Sequence, residues 1–87
     1  MNCYDLIKHI LENAREYLEA YSEKEVLSDY EKGILEGLYY DVDSIKNHLE
    51  MEKLDADNSN KVNEIETIQK DQKIEDLLIK LKNLINK

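Results

Sequence analysis

Apolar residues recur along this chain at three- and four-residue steps, the spacing that lines one side of an α-helix. Ile7, Ile10, Leu11, Ala14, Tyr17, Leu18 and Tyr21 form one such stripe and predict a first helix over about 3–21. Asn2 stands where a cap would, with Asp5 three residues on, as in a capping box. SEKEVL makes a short connection. Ser28 with Glu31 repeats the capping pattern and opens a second helix over about 28–54. Its buried face reads Leu35, Leu38, Val42, Ile45 and Leu49, with Tyr30 and Ile34 alongside.

DADNSN, residues 55–60, puts polar turn-formers in a row and is the clearest break in the chain. A third helix follows over about 61–86. Its second half places Ile74, Leu77, Leu78, Leu81, Leu84 and Ile85 on one broad face, with Ile79 outside it. Its first half carries only Val62, Ile65 and Ile68 between polar residues. The predicted fold is all-α: a helical hairpin plus a C-terminal helix. The three helices either close as a bundle or open so that the third pairs with another chain. Leu77, Leu81 and Leu84 trace a heptad-like seam, shorter than the run that identifies a coiled coil.

Composition agrees with helices. Proline is absent, glycine occurs twice and 37% of the 87 residues are charged, whereas 41% are hydrophobic, more than a disordered acidic tail carries. One small domain of this size buries a modest core, so docking or oligomerisation is expected. Cys3 is the single cysteine, which leaves no intrachain disulfide and points to a cytoplasmic setting. The first residues do not read as a secretion signal, and no apolar run is long enough to span a bilayer.

Charge divides the chain. Residues 1–60 hold 15 Asp/Glu against 6 Lys/Arg, a net of −9, whereas residues 61–87 hold 5 against 6, a net of +1. An acidic hairpin followed by a near-neutral Leu/Ile-rich helix suggests a charged face and a packing element. Bare nucleic acid and anionic membranes would repel the first part, so the expected partner is a protein, with a basic nucleic-acid-handling protein in view. Glu12, Glu16, Glu19 and Glu23 recur at four-, three- and four-residue steps as one negative ridge. Such like-charge neighbours repel, so the ridge reads either as a solvated face or as a mimic of a phosphate backbone.

Gly33 and Gly37 lie four apart inside the second helix, each at a cost of up to about 1 kcal/mol against alanine. Close approach of another backbone would explain them, either from the first or third helix or from a partner docked in a groove. Tyr39 and Tyr40 are adjacent and cannot both point inward, so YYDVD, with Asp41 and Asp43, is the preferred contact patch. Tyr17 and Tyr21 are assigned to the core stripe. His9 and His48 read as surface residues with local hydrogen bonds. Cys3 has no base within one turn, and nothing matches a nucleophile–base pair, a phosphate loop or a zinc cluster. No enzyme activity is expected.

Residues 55–66, DADNSNKVNEIE, resemble the calcium loop of EF-hand proteins. The resemblance would place Asp55, Asp57, Ser59, the Lys61 carbonyl, Asn63 and Glu66 around the ion. Asn60 stands where that family has glycine, and Thr67 where an apolar residue usually follows. Calcium is the one cofactor that this resemblance implies.

EKGILEGLYYDVDSIKNHLE, about a quarter of the chain, resembles a pattern common in short helical proteins of bacterial viruses and mobile elements. The Lys/Ile/Asn-heavy composition with a single arginine looks like that of an AT-rich coding source. The resemblance implies an accessory protein that works by binding, often as an inhibitor of host or defence machinery, anti-CRISPR and anti-restriction proteins among them. The leading expectation is a non-enzymatic inhibitor or modulator acting through its acidic hairpin. A structural homo-oligomer that uses the third helix as its seam comes second, and a calcium-binding module third.

Overall fold

Four stretches of helix, read among the described residues, make up nearly the whole chain. A computed structural model describes residues 3–87, with side chains from Tyr4 onward. α1 spans Cys3–Ser22, α2 Asp29–Asp55, α3 Ser59–Asp71 and α4 Ile74–Ile85. The all-α expectation holds, and the helices pack on one another within the chain. α2 is the spine: its 27 residues run about 40 Å, and it packs against α1, α3 and α4. α4 also packs on α1. The molecule is accordingly elongated, 47 × 22 × 17 Å.

The starts of α2 and α3 are finished by side chains that satisfy free N–H groups. Ser28 caps α2: its side chain accepts from the Glu31 N–H at 3.1 Å, and the Glu31 carboxylate accepts from the Ser28 N–H at 3.1 Å. Asn58 caps α3 through the Lys61 N–H at 2.7 Å, so the break over 55–60 is real but closes two residues early. The proposed Asn2 cap of α1 lies outside the described residues.

The core is one cluster. All five residues expected on the buried face of α2 are buried, as are Ile7, Leu11, Ala14 and Leu18 of α1. Each leucine so placed contributes roughly 1.5–3 kcal/mol of burial. Tyr30 is a correction: it lies 78% exposed. Tyr17 is likewise exposed, and Tyr21 only half-buried, their rings edge-to-face at 5.7 Å. Leu27, in the connection before α2, is buried and pins that loop to the core.

The predicted third helix is divided at Gln72 and Lys73. The apolar pattern gives the reason. In an unbroken helix, at about 100° per residue, Ile65 and Ile68 would lie nearly opposite the stripe of Ile74, Leu77, Leu78, Leu81 and Leu84. The break restores a common inward face, and all seven are buried. Ile79, in phase with the α3 pair rather than with α4, remains 59% exposed. The Leu/Ile face expected as an oligomer seam thus lies inside the chain's own core, with Ile85 half-buried beside it.

Polar contacts tie the elements together at intervals. The Tyr4 hydroxyl donates to Glu52 at 3.2 Å, joining the start of α1 to the end of α2. Lys53 pairs with Glu66 at 3.1 Å, Lys46 approaches Glu75 at 3.7 Å, and Lys87 donates to the Lys24 carbonyl. Arg15 of α1 donates to both the side-chain oxygen and the backbone carbonyl of Gln72 at the α3–α4 break.

Candidate interaction surface

Because α2 buries Leu35, Leu38, Val42, Ile45 and Leu49, the positions half a turn away must face outward. On that outward side the three- and four-residue steps run Tyr30, Gly33, Gly37, Tyr40, Ser44, His48 and Met51. From Tyr30 to Met51 none is Asp, Glu, Lys or Arg, although 37% of the chain is charged, and the next step meets Asp55 at the helix end. Tyr40 is 68% and Met51 65% exposed. The stripe is bordered by exposed carboxylates, Asp29 and Glu36 on one side and Asp41 on the other.

The glycines settle one alternative. A methyl group at Gly33 or Gly37 would meet nothing within 4 Å. No other helix of the chain approaches them, so the intramolecular explanation for the pair is overturned. Both face open space.

Tyr39 and Tyr40 divide as their adjacency requires. Tyr39 is half-buried against the core and Tyr40 stands outside, the rings 6.0 Å apart and nearly perpendicular at 78°. Asp43 is half-buried on the side of α2 away from Asp41, so YYDVD is not one continuous patch.

Glu12, Glu16, Glu19 and Glu23 are all exposed, the first three on α1 and Glu23 just beyond its end. None of the ion pairs found among the described residues takes them up, whereas Glu31, Glu52, Glu66, Glu75 and Asp76 are each paired. At the α1–α2 connection the Lys24 hydrogen bond holds the Glu31 carboxyl below its ordinary value, with the Ser28 N–H adding to it. The same hydrogen bond raises the Lys24 ammonium.

The calcium-loop reading is corrected. A loop of that kind needs its first ligands on non-helical backbone wrapped around the ion. Here Asp55 ends α2, and Ser59, Lys61, Asn63 and Glu66 already lie on α3. Those four are spread along and around a helix, and Glu66 is engaged by Lys53. Only residues 56–58 are left to turn the chain. Among the described residues no group of three or more His, Cys, Asp or Glu is placed to hold a metal ion.

His48 meets Glu52 at 3.2 Å, one turn away, in the local contact expected of it, and His9 is exposed. Among the described residues an open groove of about 1100 Å³ lies where α2 meets α3 and the start of α4. Its rim mixes Lys46, Lys53, Lys70 and Lys73 with Glu50, Glu66, Glu75 and Asp76. None of the residues expected to bind a partner lines it.

Sequence periodicity located the glycine pair but not the extent of the stripe. Tyr30, His48 and Met51 are the members it leaves out, and counting charges on the side of α2 opposite its leucines finds them. The fold and this surface define a small all-α protein with an exposed, charge-free helix face between acidic borders. Comparison with known proteins finds no matching family model, no matching curated protein and no matching solved structure. No helix among the described residues is long and apolar enough to cross a membrane.

Proposed function

We propose that the protein is a non-enzymatic binding module that docks a partner protein on the outward face of α2. The observation that carries this reading is the glycine pair in open space on a charge-free stripe. Two glycines in a helix interior cost stability, and nothing among the described residues uses the room they leave. A partner helix can use it, because small residues let two backbones come close. Tyr30, Tyr40 and Met51 supply the apolar contact area that such a partner would bury.

The borders define the partner's chemistry. Asp29, Glu36 and Asp41 call for Lys or Arg beside the partner's apolar stripe, and the α1 ridge extends the negative field that would attract it. A basic nucleic-acid-handling protein has that character. The resemblance of residues 31–50 to accessory proteins of bacterial viruses adds an inhibitory role, in which occupying such a partner blocks it. A cytoplasmic site of action follows from that role.

Affinity capture from source cells, with the bound protein identified by mass spectrometry, tests the proposal. The expected partner is basic and is released as salt rises. Capture of the same partner by a variant with Gly33→Gln and Gly37→Gln would remove the α2 face from the account.

A further inference from the structure

The break between α3 and α4 is made from residues that build helices. The segment Lys70–Asp76 contains no Gly, Pro or Asn, yet Lys73 sits at φ 49°, ψ 51°, the only non-glycine residue with positive φ among those described. Left-handed backbone crowds a Cβ against the following carbonyl, which is why glycine usually takes such positions. The start of α4 is also poorly finished, since Lys73 gives no side-chain cap to its free N–H groups.

An unbroken helix would remove both defects. The N–H groups of Ile74, Glu75 and Asp76 would then reach the carbonyls of Lys70, Asp71 and Gln72. The Gln72 carbonyl is the one that Arg15 occupies from α1. Arg15 ties Gln72 to α1 in the broken form, and the burial of α4 against α1 and α2 opposes straightening as well.

We propose that this chain also forms a domain-swapped dimer, in which α3 and α4 straighten through Lys73 and α4 enters the α1–α2 seat of a second copy. Phase selects that occupant. Once the helix is straight, Ile65 and Ile68 stay on their own α2, whereas Leu77, Leu81 and Leu84 turn to nearly the opposite side. They cannot return to their own seat and need another chain to cover them. A second copy offers the identical seat, so the same apolar contacts and the Lys87–Lys24 bond re-form between chains. Short strained hinges are where such exchange arises.

This inference rests on the hinge alone and is independent of the partner assigned to α2. Sedimentation of the full chain from micromolar to millimolar concentration tests it, with helicity checked by circular dichroism. Wild type should form dimer as concentration rises. Lys73→Gly, at ease in the left-handed geometry, should weaken the dimer by about tenfold, and Lys73→Val should strengthen it by about as much. Arg15→Ala should shift in the same direction as Lys73→Val. Gly37→Gln should leave the dimer unchanged. Monomer in every variant at millimolar concentration overturns the swap. So does equal dimer in Lys73→Gly and Lys73→Val, or a dimer lost in Gly37→Gln.

Discussion

Arg15 and Gln72, 57 positions apart, form the contact that joins α1 to the turn between α3 and α4. One guanidinium nitrogen meets the Gln72 side-chain oxygen at 3.1 Å, and the other takes the Gln72 backbone carbonyl, which ends α3. This is the chain's single arginine, and its planar fork suits two acceptors on one residue. Arg15→Ala should lower stability by about 1–2 kcal/mol, read from urea unfolding. Arg15→Lys should recover only part, because an ammonium cannot span both oxygens.

The phase argument for α4 makes a paired prediction. Leu81 is fully buried and Ile79, two residues away, is mostly exposed. Leu81→Ala should cost about 2–5 kcal/mol, whereas Ile79→Ala should stay within about 0.5 kcal/mol. Equal losses by thermal or urea unfolding would mean that α4 is rotated from the packing described.

Ser28, Glu31 and Lys24 close the entry to α2. Ser28→Ala should cost about 1 kcal/mol through the lost cap. The lowered Glu31 value means that its contribution is present above the ordinary carboxylate range and is lost as pH falls through the folded value. Lys24, being raised, contributes fully below its unfolded value and loses that contribution as pH rises through its folded one. Titration of Glu31 by NMR should show a midpoint below that of a model glutamate, and Lys24→Met should move it back up.

Much of this architecture was legible in the chain. Ser28 and Glu31 marked the start of α2, and the leucine spacing marked its buried face, because both signals are local. The break at Lys73 was not seen, because that segment holds none of the residues that usually stop a helix. Its trace was a change of phase: Ile65 and Ile68 belong to one side of a continuous helix, and Leu77, Leu81 and Leu84 to the other. The Arg15–Gln72 contact had no local sign at all, since it depends on packing across the bundle. The calcium-like spacing of 55–66 misled for the converse reason. A list of oxygen-bearing residues fits a loop or a helix start equally well, and Asn58 decided for the helix.

The exposed ridge on α1 should act at long range. Reversing Glu12, Glu16 and Glu19 to lysine should slow association with a basic partner and flatten its dependence on salt. Stopped-flow mixing at two ionic strengths checks this. An unchanged rate would confine recognition to α2.

Open space at Gly33 and Gly37 implies that stability and binding part company there. Gly33→Ala and Gly37→Ala should each stabilise the fold by up to about 1 kcal/mol, read as a rise in the urea midpoint. The larger Gln side chain should keep the helix intact and hold an approaching backbone away. The most direct measurement of the central claim is therefore the affinity of the captured partner for wild type and for Gly33→Gln/Gly37→Gln, beside the unfolding curves of both. The account predicts a variant at least as stable as wild type that binds at least about tenfold more weakly. Equal affinity in that stable variant would contradict it.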